Sequence, residues 1–198
     1  FFMIHKLFSE SKNEISKNLL VLENLINNSS LFGINIIEIP LVDSSSLKSQ
    51  SVIEEFSKNL EKIIPLIERK KIILNLETDL PPQKMKKLIE NMSSNNIRAN
   101  YDIGNSTSLG YNVEEELFLL KNLISNVHIK DRKLRGTSVP LGTGDANLEL
   151  FFNTLANIGY EGDFIIQGAR ENEDQISPED TSKRYFNLVK NYLNKYFK

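Results

Sequence analysis

The sequence contains no cysteine in 198 residues. This excludes disulfides, thiolate metal sites and cysteine nucleophiles, and it fits a reducing, cytoplasmic compartment. Acidic residues outnumber basic ones by only 26 to 24, so the chain has no positive excess for binding nucleic acid. No apolar run approaches the roughly 18 residues of a membrane span. These absences favour a cytoplasmic protein without nucleic-acid or membrane partners.

The composition itself is that of an ordinary globular protein. Hydrophobic residues make up 40% of the chain and charged residues 25%, which is enough apolar material for one sizeable core. The chain starts with Phe1 rather than Met, without the layout of a signal peptide, and its first residues read as a strand. We expect residues 1–198 to form a single domain.

One structural unit, a strand followed by a helix, recurs six times along the chain. Short apolar or alternating runs predict strands at residues 1–8, 34–42, 71–78, 97–103, 127–130 and 164–167. Longer runs with a period near 3.6 predict helices at residues 11–31, 53–67, 81–92, 113–124, 148–158 and 178–198. A long loop, residues 131–146, follows the fifth strand.

Local signals predict where several helices begin, bend or end. Asn112 and Asn147 stand at N-cap positions, and Gly33 and Gly159 follow the last apolar positions of their helices. Pro65 lies inside a helical pattern, which it should kink or break.

Strict alternation of strand and helix predicts a parallel sheet covered by helices. An open, doubly wound sheet and a closed barrel both have this pattern, but no glycine-rich nucleotide fingerprint follows the first strand. We therefore predict a (β/α)₈ TIM-barrel fold. A complete barrel of this type has about 250 residues, so roughly two units would be missing from these six.

Four predicted strands end in a residue that can bind a metal, either strongly or, for the amide, weakly: Glu77, Asp102, His128 and Gln167. Side chains alternate along a strand, so these polar groups should point into the top of the barrel while their apolar neighbours face the helices. Carboxylates with one imidazole suit Mn²⁺, Mg²⁺, Co²⁺ or Zn²⁺. We therefore expect one divalent cation at the C-terminal ends of the strands.

The same strand ends carry a series of short motifs. In order they are Leu-Glu-Thr at 76–78, Asp-Ile-Gly-Asn at 102–105, His-Ile-Lys-Asp at 128–131, Pro-Leu-Gly-Thr-Gly-Asp at 140–145 and Gly-Tyr-Glu-Gly-Asp at 159–163. Their order and spacing resemble the sugar phosphate isomerase/epimerase family of xylose-isomerase-like barrels. The resemblance implies that the first strand here is the family's third, so that the first two units are absent.

The resemblance also implies a site. In that family a strand-end Glu, Asp, His and final Glu bind one divalent metal, and the two Glu residues move a proton between neighbouring carbons of a ketose. By position, Glu77, Asp102 and His128 match the first three ligands, and Gln167 stands where the last Glu is expected. An amide oxygen can bind a metal but accepts no proton at neutral pH, so the second proton transfer would need another group, such as Lys130 or His5.

A basic loop predicts the substrate class. Gly142 and Gly144 follow its basic residues, and glycine amides at such a loop can bind an anion. A sugar phosphate is therefore a reasonable substrate, and the expected substrate-binding residues are His5, Asn105, Lys130, Arg132, Arg135 and Arg170.

Other interpretations stay open. Taken singly, His128 could be a core histidine, Glu77 and Asp102 could cap helices, and Glu38 could point into the barrel or lie on the turn side. An abasic-site endonuclease, a hydrolase with a related barrel, is an alternative function. It would need more histidine ligands and a more basic groove than this chain has. A non-catalytic sugar-binding barrel would explain why Gln167 stands where the last Glu is expected. A homo-oligomer is compatible with the sequence.

Overall fold

The computed structural model describes residues 6–170 and 176–197, which divide into two compact units at the Asn100–Tyr101 bond. The described strands are β1 (Ile36–Leu41), β2 (Ile73–Thr78), β3 (Ile97–Asp102), β4 (Ile124–Ile129) and β5 (Asp163–Ile166). The α-helices are α1 (Lys12–Leu31), α2 (Gln50–Leu60), α3 (Ile64–Lys70), α4 (Pro82–Asn91), α5 (Ile103–Leu109), α6 (Val113–Leu120), α7 (Leu148–Asn157) and α8 (Pro178–Tyr196). Short 3₁₀ turns cover Asp43–Ser45 and Glu61–Ile63.

In the first unit, β1, β2 and β3 pair in parallel in chain order. The register aligns Glu38 with Asn75 and Pro40 with Glu77, so these acidic strand residues are set two positions apart along the sheet. Helices α1 and α3 pack together and bury Leu22, Ile26 and Ile67 almost completely. The apolar stripes of the helices thus shield the strands that carry the acidic residues.

In the second unit, β4 and β5 pair in parallel, with His128 aligned to Ile165. An aromatic cluster forms the core here: Phe151 stacks on Tyr101, and Phe152 stacks on Tyr192. Such clusters bury large apolar rings and hold helices against strands. Strand β5 is less buried than β4, and 41% of Ile165 is exposed.

Several local predictions are confirmed. Asn112 accepts hydrogen bonds from the N–H groups of Glu114 and Glu115, and the Asn147 side chain likewise caps α7. Gly33 has a φ of 70°, the left-handed conformation that ends a helix at low cost. The break predicted at Pro65 is also present, because a 3₁₀ turn separates α2 from α3 and the proline lies in the first turn of α3.

Some boundaries were predicted wrongly. Helix α6 ends at Leu120 and β4 already begins at Ile124, where a helix was expected, because the apolar residues of a buried strand were taken for the last turn of the helix. The structure also has the short helix α5 directly after β3, which was not predicted. Residues 6–8 of the predicted first strand are irregular, and its residues 1–5 lie outside the described part. Among the described residues, no helix has the length and apolar character needed to cross a membrane.

Candidate active site at the strand ends

In the first unit, two carboxylates and an amide form a hydrogen-bonded group. The Asn100 Nδ2 donates to Glu38 Oε1 over 2.5 Å and to Glu77 Oε2 over 3.3 Å. Oxygens of the two carboxylates lie within 4.8 Å of each other. Glu77 is only 5% exposed and Glu38 is half-buried. One neutral amide thus holds two acidic groups close together on adjacent strands.

The register of the sheet explains this meeting. Strands β2 and β3 align Asn75 with Arg98, and continuing that register by two residues places Asn100 beside Glu77. Glu38 lies beside Asn75, and its longer side chain reaches the same amide. Asn100 is only 2% exposed, and its buried Oδ1 accepts no hydrogen bond from the described residues.

In the second unit, Asp102 uses its two oxygens differently. Its Oδ1 accepts the N–H of Asn105 over 2.8 Å and caps α5, so the interpretation as a helix cap holds for this oxygen. Its Oδ2 lies 3.7 Å from Lys130 Nζ and 3.9 Å from His128 Nδ1, and accepts no hydrogen bond from the described residues. Burial raises the pKa of Asp102, and the Lys130 ammonium acts in the opposite direction.

Gln167 follows β5 and meets the same lysine. Its backbone N–H donates to the carbonyl of Ile129, and its Oε1 accepts a hydrogen bond of 3.0 Å from Lys130 Nζ. An ammonium at this distance disfavours a second cation at the same oxygen. The geometry of the second unit therefore suits Gln167 for holding Lys130.

The other expected substrate-binding residues differ in their surroundings. Arg132 donates to Asn105 Oδ1 over 2.9 Å and to the carbonyl of Gly136, so it ties α5 to the long loop. Arg135 and Arg170 are exposed to solvent. His5 lies outside the described residues.

In the loop that contains Gly142 and Gly144, the backbone N–H groups bind a carboxylate of the protein itself. Asp131, only 1% exposed, accepts the N–H groups of Gly142, Gly144 and Ala146. A Cβ on Gly144 would lie 1.9 Å from the Asp131 carboxylate, so a side chain there cannot be fitted without a shift. The expectation that the Gly142 and Gly144 amides bind a substrate phosphate is therefore wrong, because a buried carboxylate already takes those donors.

Three residues of these groups were not among the expected site residues: Glu38, Asn100 and Asp131. Glu38 interrupts an otherwise apolar strand, and a carboxylate in such a position is rarely buried without a function or a partner. From the sequence, its orientation is open between the barrel interior and the turn side, so Glu38 is noticed but not assigned to the site. Nothing in the sequence indicated that Asp131 would fold back onto its own loop.

A family model confirms the fold. The model of the xylose isomerase-like TIM barrel matches residues 4–190 of the chain. This chain belongs to that family. The resemblance inferred from the strand-end motifs and the predicted (β/α)₈ TIM-barrel fold are thereby confirmed.

A curated relative, named "Putative L-ribulose-5-phosphate 3-epimerase SgbU" of Haemophilus influenzae, is 27% identical over 180 residues. The alignment covers 84% of this chain and 63% of that protein. This xylose-isomerase-like chain thus spans less than two thirds of the length of this relative.

Several solved structures have a similar fold. A xylose isomerase domain protein from Planctomyces limnophilus has a TM-score of 0.79 at 19% identity, covering 93% of this chain and 68% of its own. The IOLI protein with a binding zinc atom has a TM-score of 0.81 at 15% identity, covering 100% and 76%. D-psicose 3-epimerase with D-tagatose from Clostridium cellulolyticum H10 has a TM-score of 0.79 at 12% identity, covering 98% and 75%. At these identities the likeness shows a shared fold.

Proposed function

We propose that this chain belongs to a metal-dependent isomerase or epimerase that moves a proton at the carbon next to the carbonyl of a ketose sugar or sugar phosphate. The observation that carries the proposal is the buried acidic strand end of the barrel, with Glu77 held by the Asn100 amide. The names of the relatives, an L-ribulose-5-phosphate 3-epimerase and a D-psicose 3-epimerase, support this class of substrate.

We propose a divalent cation, Mn²⁺, Mg²⁺, Co²⁺ or Zn²⁺, bound by Glu77, Asp102 and His128. The fourth ligand expected at Gln167 is not part of this proposal, because Lys130 Nζ already donates a hydrogen bond to its Oε1. The chemistry of the donors fits such an ion, since oxygen ligands with one imidazole suit hard or borderline metals. The Asp102 Oδ2, buried and without a hydrogen bond among the described residues, supports it as a ligand. When bound, the cation would stabilise negative charge on a substrate oxygen.

In this proposal Glu77 is the base that takes the proton from carbon. Gln167 accepts no proton, so its catalytic role is to hold the Lys130 ammonium, which donates to its Oε1. Lys130 then supplies the second proton transfer. Asn105, Arg132, Arg135 and Arg170, with His5, bind the sugar hydroxyls or its phosphate, and the two exposed arginines carry the charge that a phosphate would need.

The test combines metal binding with turnover. Thermal unfolding is measured with and without Mn²⁺ for the unmodified protein, for Glu77→Ala and for His128→Ala, and for the exposed control Glu90→Gln. We expect Mn²⁺ to raise the melting temperature of the unmodified protein and of the control. The melting temperatures of Glu77→Ala and His128→Ala should not change with Mn²⁺. Absence of any Mn²⁺ effect on the unmodified protein would refute the metal site.

Turnover is measured separately, as exchange of the substrate's carbon-bound hydrogen with D₂O. L-ribulose 5-phosphate and D-psicose are the first substrates to try, because the relatives are named for these sugars. Exchange that is lost in Glu77→Gln and retained in Glu90→Gln supports the assignment of Glu77. An unmodified protein that binds Mn²⁺ but exchanges no substrate hydrogen contradicts the proposed reaction.

A non-catalytic sugar-binding barrel is the second candidate, favoured by the hydrogen bond between Gln167 and Lys130. It predicts saturable sugar binding without exchange of hydrogen. The Gln167→Glu variant separates the two, because gain of turnover in that variant would show that only the second carboxylate has been lost.

A further inference from the structure

We propose that Glu38 is a further ligand of the divalent cation, sharing it with Glu77, and that Asn100 positions the two carboxylates for this purpose. The inference rests on the proposed metal site and extends it to a residue on another strand. It depends only on contacts within the first unit.

The first step is electrostatic. Oxygens of Glu38 and Glu77 lie within 4.8 Å of each other, and Glu77 is 5% exposed. Two carboxylates this close repel each other where solvent screening is weak, and a cation shared by both oxygens offsets that repulsion. The Asn100 amide orients both groups but contributes no charge.

The second step concerns Asn100 itself. Its Nδ2 uses its hydrogens on the two carboxylates, which directs their oxygens toward the same amide. Its Oδ1 is a buried acceptor without a donor among the described residues. An acceptor of this kind beside two carboxylates indicates that the group is completed by something that offers positive charge or donors, such as a hydrated cation.

The separation also decides between two roles for Glu38. Two bases that act on opposite faces of one carbon each approach it to about 3 Å, so they stand about 6 Å apart. Glu38 and Glu77 are closer than that. A divalent ion with oxygen ligands at 2.0–2.6 Å, in contrast, draws two carboxylates to this kind of distance. The geometry therefore favours a shared ligand pair over a pair of opposed bases.

The experiment is a Mn²⁺ titration followed by electron paramagnetic resonance of the free ion, without substrate. Glu38→Gln keeps the size of the side chain and an oxygen for Asn100 while removing the charge. We expect it to raise the Kd for Mn²⁺ at least about 10-fold, and Asn100→Ala to raise it about 10- to 100-fold as a residue that orients ligands. The exposed Glu90→Gln is the matched control and should leave the Kd unchanged.

The outcomes separate this inference from the proposed function. A Kd for Glu38→Gln within twofold of the unmodified protein, with binding lost in Glu77→Gln, overturns the role of Glu38 and leaves the metal site intact. No Mn²⁺ binding by the unmodified protein overturns both. Should Glu38→Gln not fold in the presence of EDTA, a normal Kd in a folded Asn100→Ala would by itself refute the shared pair.

Discussion

The two units treat their buried carboxylates differently. In the second unit, Asp102 caps a helix and faces the Lys130 ammonium, while Asp131 takes three backbone N–H groups. In the first unit, Glu38 and Glu77 share one neutral amide donor. In the second unit these carboxylates thus face a lysine and backbone N–H groups, whereas in the first unit two carboxylates lie close together on one amide.

This difference distinguishes two uses of a buried acid. A carboxylate with several fixed donors stabilises the fold, and its removal leaves those donors unsatisfied. A carboxylate beside another carboxylate lowers the stability of the metal-free protein, and it becomes stabilising when a cation binds to both. The same residue type therefore indicates a structural role at Asp131 and a functional one at Glu38 and Glu77.

The largest expected effect is the loss of the Asp131 carboxylate. Asp131→Ala leaves the N–H groups of Gly142, Gly144 and Ala146 without their acceptor, and we expect the free energy of unfolding to fall by about 3 kcal/mol. Denaturant unfolding at pH 7 measures the change. The exposed Glu161→Ala in the same unit is the control. A midpoint equal to that of the unmodified protein would show that Asp131 is not a structural acid.

A smaller loss is expected for Lys130→Met, which removes the ammonium from beside Asp102, whose side chain is 1% exposed. We expect a loss of about 2 kcal/mol at pH 7, because the carboxylate stays buried without its cation. Lys133→Met, on the exposed part of the loop, should leave stability unchanged. Equal midpoints for the two variants would contradict the charge matching proposed for this unit.

In the first unit, removing a charged group should instead increase the free energy of unfolding. In EDTA, Glu38→Gln is expected to increase the free energy of unfolding by about 1 kcal/mol, because it removes the repulsion with Glu77. Urea unfolding at pH 7 gives the value, with Glu90→Gln as the control. A destabilised Glu38→Gln would mean that Glu38 is matched by charge in the empty protein, and the contrast between the units would fail.

The smallest effect is a change with pH at Glu116, a buried acid of the second unit that no proposed step uses. Burial raises its pKa above the ordinary value of 4.5, and hydrogen bonds from Ser106 and Tyr101 lower it. The folded state therefore holds this proton to higher pH than the unfolded state, and its contribution to stability is present below pH 4.5 and lost as the pH rises through the raised pKa. Glu116→Gln lacks this loss, so its stability relative to the unmodified protein should rise between pH 4 and 7. Parallel pH profiles of unfolding would contradict it.

Much of the fold could be predicted from local patterns. The parallel strands, the caps at Asn112 and Asn147 and the break at Pro65 all follow from periodicity and from side-chain chemistry within a few residues. The start of β4 could not be predicted, since a buried strand and a buried helix turn are equally apolar. The helix after β3 could not be predicted either, because its residues 104–108 are glycine, asparagine, serine and threonine, which are all weak helix formers. The single-domain organisation, the metal and substrate residues and the substrate itself stay predictions.

The sequence by itself determined the alternation of strands and helices, the family motifs and the placement of Glu77, Asp102, His128 and Gln167 at strand ends, because these depend on order and spacing along the chain. Only the tertiary structure decided which acid meets which donor. Asp131 closes on its own glycine loop, Lys130 reaches Gln167, and Glu38 joins Glu77 through Asn100. Those contacts join residues that are far apart in sequence, and they depend on sheet register and loop closure, which local sequence does not encode.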